Sequence, residues 1–267
     1  MAEDADPGAL QMLSRDDSGS AHCGQFDVTW TETRSFDLRA PGAAVLTVTR
    51  TDGQSLIDLS RSLKAGEKII PLWCGDVLGD RSQALAVETF SGGAHCCFSV
   101  SVILLQPGGP HLLDADLGNG GLVQPQQLDG SGPLELPATS DVFAYFADLS
   151  FAASPFMPLV FAYDGTSYVE ATRQYPDRIT DEVARAEVTL SAAVARGVPT
   201  QVPAQFVYQE QKSVALRLYG LHVLLGDADT ALPLIEAEVS PPVAGWLTAN
   251  APAALDALAQ RYDLGDD

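Results

Sequence analysis

Residues 84–105 read Ala84-Leu85-Ala86-Val87-Glu88-Thr89-Phe90, then Ser91-Gly92-Gly93-Ala94-His95-Cys96-Cys97, then Phe98-Ser99-Val100-Ser101-Val102-Ile103-Leu104-Leu105. Two runs rich in β-branched and apolar residues flank a glycine-rich connection, a pattern that predicts two strands around a loop. Upstream, Phe26–Trp30 and Ala44–Arg50 alternate apolar and polar residues as half-buried strands do. Asp52-Gly53 between Ala44–Arg50 and Ser55–Leu59 is a hairpin signal, since both central residues of such a turn favour positive φ. Ile69–Cys74 reads as a further strand. Downstream, strands are expected near 111–116, 134–138 and 142–147, and Asp164-Gly165 joins Leu159–Tyr163 to Thr166–Val169 in a second hairpin.

After about residue 178 the apolar period lengthens. Thr180 is a candidate cap for a helix that stops at Gly197, with Val183, Leu190 and Val194 on one face. A second helix is expected over Val214–Leu225, ended by Gly226. A third starts from Asp227 or Asp229 and runs toward Val239. Ser240-Pro241-Pro242 reads as a break, and Asn250 as the cap of a last helix with Pro252 in its first turn. The class is therefore α+β, with antiparallel β-meanders followed by a C-terminal helical segment. The expected division is a flexible acidic leader over 1–21, a β-rich domain over 22–176 and a helical region over 177–267 that packs on it.

The 267 residues suffice for a sizeable core, and 46% hydrophobic with 19% charged residues is a globular composition. A net charge of −20 repels phosphate backbones and anionic lipid, so no nucleic-acid partner is expected. No apolar run of about 18 residues occurs, so no membrane-spanning helix is expected. Met1–Asp6 is acidic and lacks the apolar segment of a signal peptide, so export implies a signal replaced by Met1. Four cysteines form an even set, which favours oxidised pairs and a periplasmic or secreted location.

Residues 18–24, Ser-Gly-Ser-Ala-His-Cys-Gly, repeat five of the seven letters of 91–97 and read as a second small, glycine-rich loop ending in His-Cys. Together the two stretches hold Cys23, Cys96 and Cys97. His22, Cys23, Cys74, His95, Cys96 and Cys97 could supply zinc ligands, but adjacent His-Cys pairs lack the spacing that brings both to one ion. A Cys-His dyad at His95 meets a similar objection, because neighbours on a strand point to opposite faces. No Gly-x-Ser-x-Gly and no glycine-rich phosphate loop occurs. Disulfides account best for the four cysteines. The two preferred pairings join Cys23 to Cys96 or to Cys97, with Cys74 taking the other. Cys96–Cys97 with Cys23–Cys74 is the third.

Cys74-Gly75-Asp76-Val77-Leu78-Gly79-Asp80-Arg81-Ser82-Gln83-Ala84-Leu85 parallels Gln127-Leu128-Asp129-Gly130-Ser131-Gly132-Pro133-Leu134-Glu135-Leu136. Both resemble decayed copies of the Asp-x-(Asp/Thr/Asn)-Gly-Asp-Gly-x-x-Glu-Leu signature of FG-GAP and VCBS-type repeats. With Ser91–Cys97 between them and Val142–Phe146 after them, residues 66–175 resemble a bacterial exported family of uncharacterised function. The resemblance implies propeller-like β-blades and Ca²⁺ at carboxylates of the loops, here Asp76, Asp80 and Asp129. Ala84 stands where the family has Glu, and Gln127 and Ser131 replace acids, so only weak Ca²⁺ binding is expected and no other cofactor. The leading functional expectation is a non-enzymatic, disulfide-stabilised binding or scaffolding protein of the periplasm or cell envelope, its partner a protein or envelope ligand. The rivals are a hydrolase using acidic residues in a cleft between the β and helical parts, and a cytosolic protein that docks a partner on its C-terminal helices.

Overall fold

The computed structural model describes residues 9–33, 42–59, 61–64, 66–92, 97–197, 203 and 206–265. The chain divides into two compact units, Met1–Ala138 with Phe161–Val169, and Thr139–Val160 with Glu170–Asp267.

Among the described residues, ten strands lie wholly in the first unit: β1 (Gln11–Met12), β2 (Ser18–Cys23), β3 (Phe26–Thr33), β4 (Gly42–Arg50), β5 (Ser55–Asp58), β6 (Arg61–Leu63), β7 (Lys68–Gly75), β8 (Ala84–Phe90), β9 (Phe98–Leu104) and β10 (His111–Gly118). They form two antiparallel five-stranded sheets. One has the order β1-β7-β8-β9-β10, the other β2-β3-β4-β5 with β6 also on β4. Alternation sorts the side chains. On β3, Phe26, Val28 and Trp30 are buried while Thr29 and Thr31 are exposed. They share one core with Leu46 and Val48 of β4 and with Cys74, Leu85, Val87 and Ile103 of the other sheet. Each such apolar side chain contributes about 1.5–3 kcal/mol on burial.

The opening stretch folds as expected. β8 and β9 pair in register from Ala84↔Leu104 to Phe90↔Phe98. Across the connection, Ser91 N donates to Cys97 O (3.0 Å) and Cys97 N donates to Ser91 Oγ (2.6 Å). The β4–β5 hairpin also forms, with Gly53 at φ 91°. Asp52 keeps negative φ, so the turn needs one left-handed residue rather than two.

Several expectations change. Ser18–Cys23 is a strand paired with β3, not a loop, and Gln11–Met12 pairs with Trp73 and Cys74, so strands begin inside the expected leader. Gly19 faces Trp30 across the ladder, and a Cβ there would lie 2.3 Å from the indole. Its small size serves packing, not a turn. Of the look-alike stretch, residues 93–96 lie outside the described residues.

β11 (Leu136–Ser140), β12 (Met157–Tyr163) and β13 (Tyr168–Glu170) form a third sheet in that order, and the chain passes between the two units within these strands. No closed barrel or propeller is present among the described residues. Residues 142–147, expected as a strand, are successive turns, with Tyr145 at φ 54° and Ala147 at φ 50°.

The second unit carries α1 (Pro176–Arg196), α2 (Gln209–Leu225), α3 (Ala228–Glu238) and α4 (Pro241–Ala259). α2 packs against each of the other three. It is buried on most sides, through Leu216, Leu218, Leu221 and Leu224, as a central helix must be. Gly220 lets Met157 and Phe143 approach, since a Cβ would stand 2.9 and 3.1 Å from them. The Tyr262 hydroxyl donates to Pro158 O (2.9 Å) and Arg173 Nε to Leu224 O (3.1 Å). The expected stops at Gly197 and Gly226 hold, both at positive φ. The starts do not. α1 begins at Pro176, and the Thr180 hydroxyl donates back to Pro176 O (2.9 Å) inside the helix. α2 begins five residues before Val214. Ser240-Pro241-Pro242 starts α4 instead of breaking the chain, because proline is tolerated where the first N–H groups have no intrahelical partner. Asn250 then lies mid-helix, its amide donating to Trp246 O (2.7 Å), and Pro252 is interior.

Candidate functional site in the β-sandwich unit

The Asp76 carboxylate organises the β7–β8 connection. Its Oδ1 accepts from Leu78 N (3.0 Å) and Gly79 N (2.7 Å), and its Oδ2 from Arg81 N (2.7 Å). Asp80 Oδ1 accepts from Ser82 N (2.8 Å). Gly79 takes φ 76°, a left-handed conformation that glycine adopts at no steric cost. Arg81 takes φ 72°, which for a side chain with a Cβ is strained.

The second Asp loop lies against the first. Leu134 N donates to Val77 O (2.7 Å), and the Tyr168 hydroxyl donates to Leu134 O (2.9 Å) with Val77 O at 3.4 Å. Burial, then the nearby Glu135, Tyr163 and Asp76, hold the Tyr168 phenol far above its usual range, so it stays a donor. Asp129 Oδ1 accepts from Ser131 N (3.0 Å), and Glu135 Oε2 accepts from Leu128 N (2.6 Å). The three carboxylates predicted as metal ligands thus lie on two neighbouring loops, each accepting backbone N–H groups of its own turn. Three of the roughly four acceptor directions of Asp76 are committed in this way. Among the described residues, no three His, Cys, Asp or Glu side chains converge as a metal site.

An open cleft of about 940 Å³ lies beside the first loop. Its walls are the β2–β3 turn (Gly24, Gln25), the segment Asp76–Gln83 and the end of β9 with Leu105 and Gln106. Two residues of this lining, Arg81 and Gln83, have no assigned role. Arg81 is exposed, and no ion pair engages it among the described residues. Gln83 is 6% exposed; its Nε2 donates weakly to Arg81 O (3.4 Å), and its buried Oε1 has no hydrogen-bond partner among the described residues. An unsatisfied buried amide oxygen costs about 1–3 kcal/mol. Neither residue was singled out from the sequence. Their role depends on segments that meet only in the fold.

The cysteines differ from the preferred pairings. Cys23 bonds Cys74, with Cα atoms 5.9 Å apart and both side chains buried. The core between the two sheets brings the end of β2 onto β7, which is why Cys23 meets Cys74. Cys97 is also disulfide-bonded. His95 and Cys96 lie outside the described residues. With its thiols consumed, the Cys23–Cys74 pair offers no thiolate to zinc. The described histidines pair with carboxylates: His22 with Asp27, His111 with Asp114 and His222 with Asp227. No helix among the described residues is long and apolar enough to cross a membrane.

Comparison with protein-family models, curated proteins and solved structures gives no match to this chain.

Proposed function

We propose that the chain is a non-enzymatic binding or scaffolding domain of the periplasm or cell envelope, and that the cleft beside Arg81 and Gln83 takes its ligand. The observation that carries this reading is an exposed, strained and unpaired arginine, Arg81, in the wall of a roughly 940 Å³ cleft that Gln83 also lines. A ligand that accepts from Arg81 and packs on the Gln83 side chain would pair the guanidinium. The lining, with Gln25, Asp80 and Gln106, suits a hydrophilic molecule of mixed donor and acceptor character. The buried Cys23–Cys74 bridge supports an oxidising compartment. In this reading the two Asp loops are decayed FG-GAP/VCBS-type blade connections, in which backbone N–H groups occupy most of the carboxylate positions and Ca²⁺ binds weakly at most.

The test is a thermal-shift screen of saccharides, amino acids, short peptides and polyols against the wild type, Arg81→Ala and Gln83→Leu. One class should raise the wild-type Tm and lose that effect in both variants. A ligand at 100 times its Kd stabilises by about 2.7 kcal/mol, well within reach of the method. Equal shifts in wild type and variants would put the ligand elsewhere, and no shift from any class would defeat the cleft assignment. Free thiols in protein taken from its native host would defeat the compartment.

A further inference from the structure

The helical unit carries a groove that the cleft does not explain. α1 and α3 flank α2, and between them lies an open groove of about 350 Å³. Leu218 and His222 of α2 form its floor, Glu187 of α1 one wall, and Ala231, Leu234 and Ile235 of α3 the other. Ala231 and Ile235 are buried, as an inward-facing helix stripe should be, but Leu234 is 65% exposed. The rim is acidic: Glu187, Asp227 and Glu238 line it, and neither lysine nor arginine does. The one group that could carry positive charge, His222, already pairs with Asp227 at 2.9 Å.

We propose that this groove docks a basic amphipathic helix of a protein partner. Charge selects the occupant. A second copy of the chain brings a net charge of −20, and an anionic membrane surface is repelled in the same way. A cationic segment is attracted, with its Lys or Arg residues meeting Glu187, Asp227 and Glu238. Backbone chemistry selects the conformation. The groove is walled by helices, whose N–H and C=O groups are used internally except in their terminal turns, and among the described residues it offers no free strand edge for an extended peptide to pair with. The guest must satisfy its own backbone, which a helix does. Its apolar residues at i, i+3 or i+4 and i+7 would cover Leu234 and reach Leu218.

The experiment uses the full chain and three synthetic 18-residue probes: a Leu/Lys peptide patterned as an amphipathic helix, the same composition scrambled, and a Leu/Glu version. Binding is followed by calorimetry at low and physiological salt. The patterned Leu/Lys helix should bind one to one, and the other two should not. Leu234→Glu should weaken binding at least tenfold. That substitution is exposed and adds a negative charge, so bulk attraction alone would strengthen binding. Glu187→Gln with Glu238→Gln should weaken binding and flatten its salt dependence. The proposal is overturned if the scrambled peptide binds equally well, if Leu234→Glu leaves the Kd unchanged, or if the patterned helix does not bind. It is also overturned if the chain self-associates and Leu234→Glu abolishes that, because the groove then belongs to a second copy.

Discussion

Cys23 and Cys74 join the end of β2 to the end of β7, and each stands directly ahead of a segment that lines the cleft. Cys23 precedes Gly24, and Cys74 lies two residues before Asp76. The bridge therefore fixes the separation of two cleft walls as well as tying one sheet to the other. It spans 51 residues, for which chain-entropy arguments give about 4 kcal/mol. Cys23→Ser with Cys74→Ser should lower the unfolding free energy in urea by about that amount. A loss under about 1 kcal/mol would mean that the core alone holds the sheets together.

Gly19 against Trp30 is the tightest glycine contact of the sandwich, and the atoms in the way belong to a rigid ring. Gly19→Ala should cost about 1–3 kcal/mol, as overpacking does, and should perturb tryptophan fluorescence. A stability unchanged within about 0.5 kcal/mol would show that the strand shifts freely at this point.

The Asp76 carboxylate accepts three backbone N–H groups, so its first role is to hold the loop. Asp76→Ala should destabilise the protein by about 2 kcal/mol in chelator-treated buffer, where Ca²⁺ plays no part. Ca²⁺ added to the wild type should bind with a Kd no tighter than the weak extracellular range of about 10⁻⁴–10⁻³ M. Micromolar affinity in calorimetry would restore a metal role to the loop.

The strands were legible because Phe26, Val28 and Trp30, or Leu46 and Val48, alternate with polar residues, and a half-buried sheet imposes that period. Two kinds of feature were not. Pro241-Pro242 reads as a breaker, yet proline serves equally well as a first helical residue, and local sequence does not separate the two uses. Val142–Phe146 has strand composition, but Tyr145 and Ala147 adopt left-handed backbone that their residue types do not announce. The cleft was hidden for a different reason. Gln25, Gln83 and Gln106 are ordinary polar residues until the two sheets bring their loops together.

A chain ending at Tyr175 would strip the second unit of its helices. Phe143 and Met157, both fully buried, pack at Gly220 of α2, and the Tyr262 hydroxyl caps Pro158 O. Exposing Phe143 and Met157 forgoes about 1.5–3 kcal/mol for each side chain. The fragment should aggregate or bind a hydrophobic dye in light scattering and fluorescence assays. A monodisperse fragment with the Tm of the whole chain would mean that residues 139–175 fold without the helices.

Glu88 gives the sharpest test of pH dependence. It lies on β8 at 3% exposure, and burial raises its pKa above the usual carboxylate value, a shift that the charge of Arg15 only partly counters. Between the unfolded value of about 4.5 and the higher folded value, the native state holds a proton that the unfolded state has released. The unfolded state then binds fewer protons, so the contribution of Glu88 to stability is full below about pH 4.5 and falls as pH rises through the folded pKa. Glu88→Gln keeps the shape and removes the ionisation. It should raise the Tm at pH 7, leave it nearly unchanged at pH 4, and flatten the fall between the two. A variant less stable than wild type at pH 7 would mean that the Glu88 carboxylate is used in its charged form, with Arg15 as its partner.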